Sequence, residues 1–153
     1  MNEAAARISA DMRAFDASLD LMDHAVAAAF GISRTDLRAM ELVSRKGSAT
    51  AGELADQLHL TSGAVTGLID RMEKIGFFKR NGDPADRRKV VVQLAPKAKE
   101  HERRAFDPLQ SEAVQVLSRY SPEQLATISD FLKKARAMVE RAAARVSNGD
   151  LAR

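Results

Sequence analysis

The chain of 153 residues contains no cysteine and no tryptophan. The missing thiol excludes disulfides, thiolate catalysis, cysteine-based zinc sites and thiol redox sensing. No apolar run approaches the roughly 18 residues of a membrane span. The N-terminal stretch MNEAAARISADMRAFD carries acids and lacks the hydrophobic core of a signal peptide. These absences predict a cytoplasmic protein with no membrane partner. The sequence also lacks a Ser-His-Asp arrangement, a phosphate loop and a clustered acid pair, which argues against an enzyme. The glycines of SGAVTG make no phosphate loop, because no Lys-Ser or Lys-Thr follows them. The three histidines, His24, His59 and His101, fall at no metal-binding spacing, even with Glu102 as a borrowed carboxylate. No metal and no cofactor are expected. Nor does one sign of charge dominate: the formal net charge is +3 with 29% charged residues. So mild a surplus is informative only through where it sits.

What is present suits one domain, or one domain with an oligomerisation extension: 45% of the residues are apolar. Over about residues 5–29, Ile8, Met12, Phe15, Leu19, Met22, Val26 and Ala29 recur at alternating steps of four and three. This is a helical seam of period near 3.5, stopped by Gly31. Ser33 reads as an N-cap with Asp36 in the first turn, opening a helix to about Arg45 before Gly47. Thr50 and Glu53 form a capping box ahead of a short helix, AGELADQLH, followed by a turn at His59 and Leu60. Thr61 or Ser62 opens a helix to about Ile75, with Val65, Leu68, Ile69, Met72 and Ile75 as its apolar stripe and Gly76 past its end.

The period then changes. FFKRN and KVVVQL read as two strands around GDPAD. Pro96 suits the first turn of a helix running to about Tyr120, which Pro108 should kink or break. SPEQ at Ser121–Gln124 starts a last helix, with a seam of Leu125, Ile128, Leu132, Ala135, Val139, Ala142 and Val146. The tail from Ser147 is expected to fray.

The segment ELADQLHLTSGAVTGLIDRM has the spacing of a helix-turn-helix. In such units the second helix enters the DNA major groove and reads bases from its N-terminal part. Here Ser62, Gly63, Ala64, Thr66 and Gly67 are small and outward. They permit close approach, hydroxyl bonds to phosphates or base edges, and methyl contact with thymine. A helix pair of this spacing also serves as a plain packing unit. The hairpin adds weight to the DNA reading. Between Phe77 and Leu94, five bases (Lys79, Arg80, Arg87, Arg88, Lys89) face two acids (Asp83, Asp86). That surplus equals the charge of the whole chain. A thin basic hairpin beside a recognition helix can reach a minor groove, where arginine is favoured. The alternative is a solvated hairpin with charges guarding its edge.

Residues Glu53–Leu94, and above all SGAVTGLIDRME followed by DPADRR and a Val-rich strand, resemble the MarR family of bacterial transcription regulators. The resemblance implies a mainly α fold with a small β-hairpin wing. It is a winged helix-turn-helix flanked by N- and C-terminal dimerisation helices, divided here as 1–30, 31–95 and 96–153. It implies a homodimer on a pseudo-palindromic double-stranded DNA operator, usually repressing its own or neighbouring genes. Many such regulators release the DNA when a small, often aromatic or phenolic, effector binds between the DNA-binding lobe and the dimer interface. By position, Ser62, Gly63, Ala64, Thr66 and Gly67 face the major groove, Arg88 enters the minor groove braced by Asp86, and Arg87 meets phosphate. Thr61 and Arg71 complete the DNA-binding set. Met22, His24, Phe30 and Met72 are ligand candidates at the joint, with Val26 and Leu42 nearby; for each of them the role of a core or interface residue is the stronger reading. Gly67 stands where the family often carries a base-reading arginine, and Ala98 near where it usually has glycine. The competing reading is a winged-helix protein-interaction module without sequence-specific DNA binding, in which the arginine pair of the hairpin would be unnecessary.

Overall fold

The computed structural model describes residues 2–82 and 90–147. The elements are α1 (Glu3–Phe30), α2 (Arg34–Lys46), β1 (Ala49–Thr50), α3 (Ala51–Leu58), α4 (Ser62–Lys74), β2 (Phe78–Gly82), β3 (Val90–Leu94), α5 (Pro96–Leu117) and α6 (Pro122–Ser147). The fold is mainly helical, with a small antiparallel sheet. The chain divides into two compact units, Met1–Phe106 and Asp107–Arg153.

Local chemistry sets the helix ends. Asn2 accepts a bond from the Ala4 N–H at 3.0 Å to open α1, and Gly31 closes it at φ +67°. Ser33 and Asp36 form a reciprocal capping box on α2, and Thr50 and Glu53 form another on α3. Each box satisfies donors that the first helical turn leaves free. On α6, the Gln124 N–H donates to Ser121 Oγ at 3.3 Å while the Ser121 N–H donates to Gln124 Oε1 at 2.8 Å.

Two expectations need correction. The sheet has three strands, not two, in the order β1-β3-β2, with Ala49 opposite Val92 and Thr50 opposite Val91. A two-residue strand has no periodicity to betray it; only its pairing with β3 defines it. Of the kink or break expected at Pro108, the break is overturned: α5 runs continuously to Leu117. A proline satisfies helical φ, and its missing N–H removes a single bond while neighbouring turns keep theirs. The expected fraying concerns a tail that, from residue 148, lies outside the described residues.

The main core of the first unit joins Met40 and Val43 of α2, Leu54 of α3, Val65, Leu68, Ile69 and Met72 of α4, Phe77, Phe78 and, on β3, Val92 and Leu94. A smaller cluster of Val26, Ala27 and Leu37 fastens the end of α1 to α2. The rest of α1 leaves Ile8, Phe15, Leu19 and Leu21 exposed. In the second unit, α6 buries no residue, and Leu132, Met138, Val139 and Val146 are all exposed.

Candidate nucleic-acid interface

The turn between α3 and α4 is built by His59. Its backbone is left-handed at φ 53°, and the next N–H, of Leu60, returns to Ala55 O at 3.0 Å. Glycine is the usual residue in this conformation, but histidine is among the side chains that tolerate it best. Thr61 then caps α4, accepting the Ala64 N–H on Oγ1 at 3.3 Å. Val65, Leu68, Ile69 and Met72 bury one face of α4 against the core. That anchoring turns Ser62, Gly63, Ala64, Thr66 and Gly67 outward, and all five are exposed. Thr66 Oγ1 donates to Ser62 O at 2.9 Å, leaving its methyl and an oxygen lone pair available. A Cβ added to Gly63 or Gly67 would meet nothing within 4 Å, so neither glycine is required by packing. The first turn of α4 carries no acid. Its partial positive charge is therefore open to an anion such as phosphate.

Arg71, placed by sequence with the DNA-facing residues, has a protein partner. Its Nη2 donates to Asp36 Oδ1 at 2.6 Å and its Nε to Asp36 Oδ2 at 3.3 Å. Asp36 is 2% exposed, and it also accepts from the Ser33 N–H at 3.1 Å and Ser33 Oγ at 2.7 Å. Burial by itself would push the Asp36 carboxyl up. The bonds from Arg71 and Ser33 overcome this and hold it below the ordinary carboxylate range. The same pairing raises the Arg71 guanidinium.

In the hairpin, β2 and β3 pair in register from Phe78 opposite Leu94 to Gly82 opposite Val90. The tip, with Asp86, Arg87 and Arg88, lies outside the described residues. Lys79 points to solvent, whereas Arg80 is half-buried and paired with Asp70 and Glu73 of α4.

Of the four ligand candidates, Phe30 packs against both buried clusters, the one holding Met72 and the one that Met22 flanks, whereas His24 stands outside them. Met72 is wholly inside the core. Met22 and Phe30 flank the Val26–Ala27–Leu37 cluster. His24 is exposed, with Nδ1 placed 3.1 Å from Asp20 O and 3.3 Å from Arg34 Nη1. Val26 and Leu42 are buried. Sequence reasoning missed a small aromatic cluster around Phe30. His101 lies 5.2 Å from the rings of both Phe30 and Phe77. Lys97 sits over Phe77 and donates to Ile75 O at 2.9 Å. These residues come from three separate stretches of chain, so no local pattern signals them. Among the described residues no group of three or more histidine, aspartate or glutamate side chains is placed to hold a metal, and no helix is long and apolar enough to cross a membrane.

Comparison with known proteins gives a consistent set of likenesses. The model of the MarR family matches residues 32–90. The HTH-type transcriptional regulator YcgE of Bacillus subtilis is 38% identical over 120 residues, spanning 78% of each chain. Among solved structures, a MarR family protein from Bacillus stearothermophilus superposes with a TM-score of 0.68 at 24% identity, covering 92% of this chain and 99% of that one. A transcriptional regulator from Thermotoga maritima does so with a TM-score of 0.64 at 25% identity, covering 90% and 97%.

Proposed function

The chain belongs to the MarR family of DNA-binding transcription regulators, and from that premise we propose that it works in the cytoplasm as a homodimeric repressor of its own or neighbouring genes. The observation that carries the reading is the bare outer face of α4. Thr61, Ser62, Gly63, Ala64, Thr66 and Gly67 offer a helix end of small side chains to the major groove. Arg71 serves this surface from behind, by holding α4 to Asp36. Arg88, braced by Asp86, reads the adjacent minor groove, and Arg87 meets phosphate. The exposed apolar residues of α1 and α6 support dimerisation, since a lone chain would leave them in water. Two recognition helices related by a two-fold axis then meet half-sites about 34 Å apart on a pseudo-palindromic operator. A small aromatic effector binds near Phe30 and lowers operator affinity by a coupling of about 1–3 kcal/mol.

The test is fluorescence anisotropy on DNA from upstream of the gene, across a range of salt, with Arg88→Ala alongside. Saturable binding to a discrete site, a steep salt dependence and clear loss in Arg88→Ala are expected. Equal weak binding to any duplex, followed by failure to enrich a sequence from random DNA, would reject the reading.

A further inference from the structure

Arg80 counts by sequence among the basic residues of the hairpin, yet it is half-buried where Lys79 beside it is exposed. Side chains alternate along a strand, and directly opposed residues share a face. Arg80 faces Val92, which is fully buried, and the previous inward pair is Phe78 with Leu94, also buried. Arg80 is thus the next inward residue after the apolar base of the wing. Its guanidinium spans two acids of α4 one turn apart: Nη2 donates to Asp70 Oδ1, and Nη1 pairs with Glu73 Oε2 at 3.0 Å.

We propose that Arg80 is a positioning residue that locks the wing to the recognition helix, so that major-groove and minor-groove contacts are presented in fixed register. This rests on the DNA-binding reading and adds the part that sets the geometry between its two reading elements. The leverage is considerable. Gly82 stands four residues beyond Phe78, about 13 Å of strand, so a 10° pivot at the apolar base would move it about 2 Å. The minor groove is only about 6 Å wide. Arg80 restrains that pivot from a point between base and tip. It also offsets two carboxylates on a helix that approaches phosphates. With both its outer nitrogens engaged, Arg80 does not belong to the phosphate-contacting set.

The experiment compares wild type, Arg80→Gln, Arg80→Lys, Asp70→Asn/Glu73→Gln and the triple variant. The probes are a duplex enriched from random DNA by the wild-type protein and a scrambled duplex of equal length, each titrated across salt. Melting curves check folding. Hydrogen exchange of residues 79–82 in the free protein reads the anchor without DNA. Arg80→Gln should bind the enriched duplex about tenfold more weakly, with discrimination reduced, as for coupled neighbours. The salt slope should stay unchanged, and exchange in β2 should accelerate. Arg80→Lys, which keeps the charge but loses the fork, should recover only part of the affinity. Removing Arg80 from the variant already lacking both acids should add little. A salt slope lower by about one, with losses that multiply in the triple variant, would identify a phosphate contact and overturn the proposal. Unaltered exchange in Arg80→Gln would overturn the anchor itself. Failure of the wild-type protein to enrich any duplex would instead reject the DNA-reading premise.

Discussion

Replacing Arg71 by alanine would leave the Asp36 carboxylate in the core without its counter-charge. Asp36 is 2% exposed and accepts two bonds from Arg71 and two from Ser33. Breaking a buried pair by removing one partner typically costs about 3–5 kcal/mol. Ser33 remains in place, and the Arg71 side chain is 53% exposed, so part of its lost interaction is recovered by water. Both points set the expectation at the lower end, about 3 kcal/mol. Against a total stability of about 5–15 kcal/mol this is a large fraction. For a chain of this size it corresponds to a melting temperature lower by about 10 °C. Circular dichroism melting at fixed protein concentration measures it, the concentration being held because association shifts the midpoint.

The pH dependence supplies the sharper test. In the wild type the native Asp36 carboxyl lies below its ordinary value. Its contribution is therefore complete above the unfolded pKa of about 3.9 and is lost as pH falls through the lower native value. In Arg71→Ala, burial dominates and the native carboxyl rises above the unfolded value. The variant then gains stability on acidification, as the carboxyl takes up a proton. The gap between the two proteins should narrow from about pH 7 towards about pH 4. A gap below about 1 kcal/mol at neutral pH, or one that does not change with pH, would refute the reasoning.

Gly67→Ala should stabilise the fold by about 1 kcal/mol, because the position is helical and open, yet it should weaken binding to the selected DNA. Urea unfolding and anisotropy on the same preparation check the opposed signs; an equal or improved affinity would remove the functional reason for glycine there. The Glu53 carboxyl is drawn down to about 2, chiefly by the Lys46 ammonium and then by the Thr50 N–H. NMR titration should find it there and find it moved upward in Lys46→Ala, with the stability it contributes lost as pH falls through its native value. If the proposed dimer forms, Leu132→Glu on the exposed seam of α6 should convert it to monomer by sedimentation and reduce operator affinity, while the melting of Met1–Phe106 stays cooperative.

Much of the fold is legible along the chain because its determinants are close in sequence. Capping boxes such as Ser33–Asp36 and Thr50–Glu53 act over three residues, and the buried stripe of α4 is a simple periodicity. That stripe also dictates the outward face at Ser62–Gly67, so the surface proposed for recognition is legible from helical periodicity alone. The family resemblance adds roles for those residues and for the arginines of the hairpin tip. It cannot tell which charged side chain meets DNA and which meets protein.

The sequence by itself determined most of the helix limits, though not the end of α5, together with the two seams, the turn at His59 and the small-residue face of α4, since each depends on local backbone chemistry or on a regular repeat. Tertiary structure alone decided which partner each charge would find. Arg71 reaches Asp36 across 35 positions, and Arg80 turns inward to Asp70 and Glu73. It also decided that Ala49–Thr50 is a strand, through pairing with β3, and that Phe30, Phe77 and His101 meet. A guanidinium suits a phosphate and a carboxylate alike. Only the folded arrangement, by placing a carboxylate within reach and, for Asp36, removing water around it, makes the choice.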